Sequence, residues 1–441
     1  MSYLTDRRRF LKTTALTGVG VFVSGTAAAE DSKSPNEVIR FGCIGVGGKG
    51  GSDSRDAKSA GDVVAICDVD DNTLEKAGSK SFPNAAKYND FRKMLDEMGK
   101  SIDAVTVSTP DHMHAPASAM AMRLGKACFT QKPLTRTIFE ARKLGEIARE
   151  MNVASQMGNQ GTSFSPLRKT SAVVESGVLG NVKEVHVWTN RPIWPQGGTR
   201  PEEKPVPANL HWDLWLGCAP YRPYAPGYHP FAWRGWWDFG SGALGDMACH
   251  TVNMPFMALD LRDPSAVVAE TSGHNRDSYP KWSIITYDFP STDSRPELQM
   301  VWYDGGKKPS PELFDGESVS DTGVLIIGDK GKLFAPGDYC EKGYKLLGGP
   351  AEPEVEFEES PGHFDEFARA IKGGQPARSN FENYAGPLTE TILLGNLAVW
   401  AANEAGSPGK KIEWDARSLK ATNAPEVASV VTPEYSDGYK L

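Results

Sequence analysis

A short apolar run that ends in a glycine-rich turn constrains this chain more than any other feature. Residues 40–50 read Arg-Phe-Gly-Cys-Ile-Gly-Val-Gly-Gly-Lys-Gly, in which Gly45, Gly47 and Gly50 have the spacing G-x-G-x-x-G. The first glycine allows a tight turn, the second lets backbone approach a pyrophosphate, and the third lets the next helix pack on the strand. The helix N-terminus, which includes Gly48, offers free N–H groups to phosphates. The pattern predicts a dinucleotide-binding turn, and the alternative is a glycine-rich surface loop.

A carboxylate after the next apolar run supports the dinucleotide-binding interpretation. Residues 63–67 are apolar and lead into Asp68, eighteen positions after Gly50. An acid at this place accepts hydrogen bonds from the adenosine ribose and repels a 2′-phosphate, so NAD is favoured over NADP. Because strand, turn, strand and acid occur in this order, an unrelated surface loop is the weaker interpretation.

The first residues have the order of an export signal rather than of a folded segment. Residues 7–9 are arginines, a mildly apolar run covers 13–23, and three alanines follow at 27–29. This order predicts a twin-arginine signal peptide over residues 1–29, a polar linker over 30–36, and a periplasmic or otherwise exported protein. The alternative is a retained helix that lies along the membrane. Since the twin-arginine route carries folded proteins, a cofactor bound in the cytoplasm can travel inside the protein.

Net charge argues against certain binding partners, and the cysteine pattern argues against disulfides and a zinc site. The net charge of −8 argues against nucleic acid or an anionic membrane as a partner. No segment after the signal approaches the length of a membrane span, so we expect no integral span once the signal is removed. The six cysteines include no C-x-x-C pair, and Cys43, Cys67 and Cys128 lie in apolar runs. We therefore predict buried free thiols rather than disulfides or a zinc site.

Helix and strand patterns alternate through the residues that follow the linker. This alternation predicts the α/β class, a Rossmann doubly wound parallel sheet with helices on both faces. Ligands bind such sheets at the carboxyl ends of the strands. Thr109, Asp111 and His114 follow one predicted strand, and Gln131 and Lys132 follow the next. Lys132 is therefore expected near the nicotinamide end of the cofactor, and the alternative is an ordinary surface lysine.

The pattern of residue types changes in the second part of the chain, where runs of β-branched and aromatic residues occur without regular helical patterns between them. We predict an NAD-binding domain over residues 37–158 and a C-terminal α+β domain over 159–441, built on a largely antiparallel open sheet. A tryptophan-rich insertion covers residues 191–260. Aromatic rings stack on the C–H faces of sugars, which favours a carbohydrate site, and core packing of a long loop is the alternative.

Asp246 and His250 stand four positions apart near the end of that insertion. On a helix they share one face, so they either orient one another or point into a shared cleft. As a zinc pair they lack a third ligand at an obvious spacing, and we predict no metal site. His250 is therefore a candidate acid/base residue, and a structural histidine is the alternative.

At this point the sequence resembles the Gfo/Idh/MocA oxidoreductases over nearly the whole mature chain. Besides the glycine turn, three motifs carry the resemblance: Thr109-Pro110-Asp111-x-x-His114 is similar to the T-P-N-x-x-H loop, Gln131-Lys132-Pro133 to E-K-P, and Asp246-x-x-x-His250 to D-x-x-x-H. The combination is specific, although each motif alone is not. Asp111 and Gln131 depart from the family pattern, and both departures concern how the nicotinamide ribose is held.

The resemblance implies roles for particular residues. It implies that Lys132, Asp246 and His250 form the catalytic group, with His250 as general base and Lys132 polarising the reacting oxygen. It also implies NAD as cofactor, a small-molecule carbohydrate substrate and a homo-oligomer. The expected cofactor-binding residues are Gly45, Gly47, Gly48, Gly50, Asp68, Thr109, Asp111, His114, Gln131 and Lys132, and the expected substrate-binding residues are Gln160, His229 and Trp236.

The signal and the insertion also resemble the exported, sugar-processing branch of this family, which includes glycosidases that oxidise a sugar carbon, eliminate, and reduce it again. Outside the cytoplasm there is no comparable pool of exchangeable nicotinamide, so hydride taken from the substrate has to return within the same site. We expect a redox-neutral reaction: glycoside cleavage through a keto intermediate, epimerisation, or paired sugar oxidation and reduction. The alternatives are a sugar or polyol dehydrogenase with exchangeable NAD, or a non-catalytic NAD- and sugar-binding protein.

Overall fold

A computed structural model of the protein describes residues 38–436 and 438–441. The predicted signal peptide and linker, residues 1–36, lie outside the described residues. Within the described part of the chain, no helix has both the length and the apolar character that a membrane crossing requires.

Six parallel strands form the first sheet, in the order β3-β2-β1-β4-β5-β6. The strands are β1 Ile39–Ile44, β2 Gly61–Cys67, β3 Ala86–Tyr88, β4 Ala104–Val107, β5 Ala127–Thr130 and β6 Ser155–Met157. The intervening helices are α1 Gly48–Ala60, α2 Asp71–Lys80, α3 Phe91–Met98, α4 Asp111–Arg123 and α5 Ile138–Glu150. Because the strand order reverses between β1 and β4, their carboxyl ends form the crevice at which such sheets bind ligands. The predicted doubly wound sheet is confirmed.

Helix α3 shows how local sequence sets these elements. Phe91, Met94 and Leu95 are buried on one face, as their spacing predicts. Asp90, rather than the neighbouring Asn89, caps this helix, because its carboxylate accepts the backbone N–H of Arg92 at 2.9 Å. The Asn89 amide instead donates to the carbonyl of Asp68 at 2.9 Å.

Nine strands form the second sheet, in the order β13-β12-β11-β7-β10-β9-β8-β14-β15. The strands are β7 Val182–Trp188, β8 Ala266–Thr271, β9 Ser283–Phe289, β10 Leu298–Tyr303, β11 Gly323–Gly328, β12 Lys332–Pro336, β13 Lys345–Leu347, β14 Ile412–Asp415 and β15 Lys420–Ala421. All neighbours are antiparallel except β7 and β10, which are parallel. The predicted largely antiparallel sheet is confirmed. The domain boundaries themselves stay a prediction.

The remaining helices cover the sheets and join them. They are α6 Ser165–Glu175, α7 Trp212–Leu216, α8 Gly242–Thr251, α9 Asn253–Leu259, α10 His363–Ile371, α11 Gly386–Ala401 and α12 Ala428–Val431. Helix α10 returns to the first sheet, where the rings of Phe364 and Phe129 lie 5.1 Å apart. The C-terminal part of the chain therefore packs back on the first domain.

The tryptophans of the insertion mostly serve packing. Trp212 and Trp215 stack with ring centroids 4.6 Å apart, and Trp215 meets Phe239 edge-on at 4.7 Å. Trp236 is buried beside Tyr228 and donates its indole N–H to the carbonyl of Gly227 at 3.0 Å. Trp215 also lies 5.3 Å from the ring of His112 on α4, so this buried aromatic cluster fixes the long loop against the first domain.

Candidate active site

A cavity of about 690 Å³ opens at the carboxyl ends of β1, β4 and β5. Most predicted site residues line it: Gly45, Gly47, Gly48, Asp68, Thr109, Asp111, Gln131, Lys132, Gln160, His229 and His250. Four predicted residues, Gly50, His114, Trp236 and Asp246, are not part of its lining. The sequence therefore located the cavity, and the structure separates residues that face it from residues that support it.

The glycine turn has the geometry that its spacing predicts. Gly45 has a φ of +79°, and a Cβ there would lie 2.5 Å from the carbonyl oxygen of Ser108. A Cβ on Gly50 would lie 2.0 Å from the carbonyl oxygen of Gly45, so only glycine lets α1 pack this closely. Gly47 precedes α1 without any side-chain cap among the described residues. The first N–H groups of α1 therefore remain available to an anion such as a pyrophosphate.

Asp68 lies where β2 ends and faces the same cavity. Its carboxylate accepts the backbone N–H of Val46 at 3.0 Å and that of Asp70 at 3.0 Å. Burial raises the pKa of Asp68, and these backbone donors oppose the rise. The two bonds fix the carboxylate beside the glycine turn, and each oxygen keeps a second lone pair for a ribose hydroxyl. The N–H donors of the turn and the helix terminus fit the pyrophosphate of NAD, and the Asp68 carboxylate fits its adenosine ribose.

Replacing Asp68 with Asn is expected to weaken NAD binding by about tenfold or more, because charged hydrogen bonds are lost. The same change is expected to narrow the preference for NAD over NADP, because the repulsion of a 2′-phosphate disappears. Calorimetric titration of nucleotide-free protein with both cofactors measures this. Asp62→Asn is the matched control, since Asp62 is an exposed carboxylate of the same strand. Unchanged affinity for NAD and unchanged exclusion of NADP would remove Asp68 from the cofactor site.

Lys132 lines the cavity and pairs with Asp246, which supports it from outside the lining. Lys132 Nζ donates to Asp246 Oδ1 at 2.7 Å and to the Asp246 carbonyl at 2.9 Å. Arg234 Nε donates to the same Oδ1 at 3.1 Å. Burial lowers the pKa of Lys132, but Asp246 outweighs it, so the pKa is raised. Burial likewise raises the pKa of Asp246, but Lys132 and Arg234 outweigh it, so the pKa is lowered. Lys132 is therefore a cation and Asp246 an anion at neutral pH.

His250 lies one turn after Asp246 on α8 but does not hydrogen-bond to it. The imidazole packs edge-on against Tyr339, with ring centroids 4.6 Å apart, and its Nδ1 has no hydrogen-bond partner among the described residues. Burial and the charge of Lys132 hold the pKa of His250 well below its usual value. The imidazole is therefore neutral at neutral pH, which is the form that accepts a proton.

The Gln131 departure has a structural explanation. Gln131 Nε2 donates to Asp53 Oδ2 at 2.9 Å, and Ser108 Oγ donates to the same oxygen at 2.8 Å. Lys49 Nζ pairs with Asp53 Oδ1 at 2.7 Å. A buried carboxylate already stands at position 53, so a glutamate at 131 would face a like charge, whereas the glutamine amide donates to it. The four side chains join the ends of β4 and β5 to α1.

Asp111 and His114 brace the loops around the cavity. Ser241 Oγ donates to Asp111 Oδ2 at 2.6 Å, and burial raises the pKa of Asp111. The two ring nitrogens of His114 lie 2.8 Å from the carbonyl oxygens of Pro133 and Thr109. His114 thereby ties the loop after β4 to the loop after β5, on which Lys132 stands.

Three functional candidates were not found from the sequence: Asp53, Arg234 and Tyr339. Asp53 is the third residue after the last glycine of the turn, and its pairing with Gln131 spans 78 positions. Arg234 belongs to a tryptophan-rich stretch, where its spacing carries no signal. Tyr339 lies beyond β12 and reaches the cavity only because the second sheet brings it there. Among the described residues, no three His, Cys, Asp or Glu side chains group closely enough to hold a metal ion.

The glycine turn, Asp68 and the crevice at the strand reversal define a dinucleotide-binding protein of two sheets. Residues 39–159 match the description "Oxidoreductase family, NAD-binding Rossmann fold", and residues 161–336 match "Oxidoreductase family, C-terminal alpha/beta domain". The chain therefore belongs to the Gfo/Idh/MocA oxidoreductase family, and NAD is the cofactor of its first domain.

This chain is similar to known proteins in sequence over part of its length and in structure over most of it. A "Glycosyl hydrolase family 109 protein" of Solibacter usitatus is 33% identical over 155 residues, which is 32% of this chain and 35% of that protein. An inositol dehydrogenase homolog of Azotobacter vinelandii, solved with NAD+, covers 86% of this chain and 98% of its own at 16% identity and a TM-score of 0.60. An aldose-aldose oxidoreductase of Caulobacter crescentus covers 85% and 100% at 17% identity and a TM-score of 0.58. The structural likenesses show the fold.

Proposed function

We propose that this protein oxidises a hydroxyl group of a small carbohydrate with NAD as hydride acceptor. The observation that carries the proposal is the cavity itself. It joins the glycine turn and Asp68 at one end to the Lys132 ammonium and the neutral His250 imidazole at the other. A charged donor beside a neutral base is the combination that alcohol oxidation requires.

The chemistry follows from the protonation states. His250 takes the proton of the sugar hydroxyl as the carbon–oxygen bond becomes a carbonyl. Lys132 has three N–H donors, of which two are used on Asp246, so the third is free to bond to the reacting oxygen. Asp246 keeps the ammonium charged and oriented. Bound NAD supplies the hydride acceptor, and its reduced form supplies the hydride for the reverse step.

We further propose that the reaction is redox-neutral, with tightly bound cofactor that is regenerated in place. A ketone acidifies the neighbouring C–H bond, which permits elimination or epimerisation before hydride returns. The names of similar proteins support this idea, since one relative is called a glycosyl hydrolase and one structural neighbour an aldose-aldose oxidoreductase. The twin-arginine signal predicted for residues 1–29 supports it as well. Export and a homo-oligomeric state stay predictions.

If the cycle is closed, protein that retains its nucleotide is expected to form many equivalents of product with no NAD in the buffer. The measurement is turnover per equivalent of bound nucleotide. A sugar deuterated at the oxidised carbon is expected to retain its label when hydride returns to that carbon. In the paired reaction the label passes to a second sugar.

Two controls separate the closed cycle from the alternatives. Stripped protein, reconstituted with one equivalent of NAD, is expected to behave like the original preparation. Product that stops at one equivalent, and continues only with added NAD and stoichiometric NADH, would show an ordinary dehydrogenase. Bound NADH that no ketosugar oxidises would show a binding protein without catalysis.

A further inference from the structure

Arg234 occupies a constrained place in the cavity wall. It belongs to the short 3-10 segment Ala232–Gly235 and lines the cavity beside Lys132, since both side chains bond to the same oxygen of Asp246. Its guanidinium carbon lies 4.2 Å from the ring centroid of Trp233 and 5.8 Å from those of Trp194 and Phe231. Three aromatic rings and the bond to Asp246 therefore hold the guanidinium plane in one orientation.

The outer edge of that guanidinium carries N–H groups that the described part of the chain leaves without an acceptor. Arginine carries five N–H groups, and Nε uses one on Asp246. Within the described part of the chain, neither Nη1 nor Nη2 donates a hydrogen bond to a protein acceptor. The side chain is 23% exposed, so the unused edge is reachable from the cavity. Two parallel N–H groups at a fixed edge match the two oxygens of a carboxylate.

The charge balance favours the same ligand. Lys132 is a cation and Asp246 an anion, the Arg234 guanidinium adds a second cation that bonds to the same carboxylate, and His250 is neutral. Oxidised nicotinamide brings one more positive charge. Around the reacting centre the cations therefore outnumber the one carboxylate that pairs with them, which favours a substrate that carries a negative charge.

We propose that Arg234 binds a carboxylate of the substrate, so that the preferred substrates are sugar acids, such as uronic acids and uronides, rather than neutral sugars. This inference rests on the proposed function and names the substrate class of the same site. Trp233 supports the guanidinium from behind, and Asp246 couples it to Lys132. Lys132, which donates to the reacting oxygen, and Arg234, which holds the acid group, thus share the carboxylate of Asp246.

The test compares matched ligands on the NAD-loaded protein. D-Glucuronate, D-glucuronamide and D-glucose, and the corresponding galacto series, are titrated by calorimetry and assayed for product. The amide keeps the shape of the acid without its charge, so the wild-type protein alone decides the question. The acids are expected to bind at least about tenfold more tightly than the amides or neutral sugars, as a charge-assisted bidentate pair implies.

Variants assign the preference to one side chain. Arg234→Met is expected to remove the preference for acids, and Arg234→Lys to keep part of it, because lysine retains charge but lacks the fork. Arg276→Met is the matched control, since Arg276 also lies over a tryptophan ring, that of Trp400 at 5.1 Å, outside this cavity. A preference that survives Arg234→Met unchanged would overturn the assignment.

The outcomes separate this inference from the proposed function. Neutral sugars or amides that bind as well as the acids, and react, would overturn the inference and leave the function intact. Acids that bind selectively but never exchange hydride with bound nucleotide would support the inference and overturn the function. Failure of every sugar to bind would overturn the inference too.

Discussion

Replacing Lys132 with Met is expected to lower kcat by about 10²–10⁴-fold while leaving NAD bound. Methionine keeps the length and apolar stem of the side chain but removes the donor to the reacting oxygen. It also leaves Asp246 with Arg234 as its remaining cation, because both Lys132 bonds, at 2.7 and 2.9 Å, are lost. The loss is expected mainly in kcat, since the developing charge on oxygen exists only during reaction.

The measurement for Lys132→Met is steady-state turnover on the best substrate of the sugar and uronate panel, together with nucleotide released on denaturation. Lys93→Met, an exposed lysine of α3, is the matched control and is expected to match the wild type. A variant that keeps its nucleotide and its kcat would exclude Lys132 from catalysis. A variant that loses nucleotide, with kcat restored by saturating NAD, would assign Lys132 to cofactor binding instead.

The parts of the molecule that were predicted from sequence are those set by local contacts. The turn at Gly45 needs a positive φ whatever surrounds it, and the face of α3 follows from helical spacing. Strand β5 was expected directly before Gln131 and Lys132, and it ends at Thr130. Such features depend on residues a few positions apart, so periodicity and turn chemistry reveal them.

The parts that were not predicted depend on side chains distant in sequence. The four-residue spacing correctly placed Asp246 and His250 on one helix, yet the Asp246 carboxylate pairs with Lys132, 114 positions away. Trp236 was expected at the substrate, but its indole bonds to Gly227 within the aromatic cluster. No local pattern records which of several tryptophans faces a cavity, because the folded loop decides it.

The identity of the residue at position 131 also depends on a side chain distant in sequence. Gln131 differs from the family's glutamate, and the sequence offered no reason for the change. The structure supplies one, since Asp53 places a carboxylate 2.9 Å from the Gln131 amide nitrogen. Asp53 and Gln131 are 1% and 5% exposed, so charges placed there are poorly screened. Position 53 thus carries the buried negative charge, and position 131 the donor.

Restoring the family's residue alone, with Gln131→Glu, is therefore expected to damage the protein. Two buried carboxylates cannot both ionise at this distance, so the folded protein holds a proton that the unfolded chain releases near its ordinary pKa of about 4.3. Stability consequently falls as pH rises above that value. We expect the free energy of unfolding to drop by about 3 kcal/mol at pH 8, with a smaller loss at pH 5. NAD retention is expected to fall too, because Gln131 lines the cavity.

Moving the charge instead of adding it is expected to repair the defect. In Asp53→Asn with Gln131→Glu, the amide at 53 donates to the carboxylate at 131, and the network again holds one negative charge. Urea unfolding of the wild type, both single variants and the double variant at pH 5 and pH 8 measures the coupling, expected at about 0.5–3 kcal/mol. Asp56→Asn, an exposed carboxylate of the same helix, is the control for the charge change. Additive losses of stability in the double variant would show that the residue at position 131 is not energetically coupled to the residue at position 53.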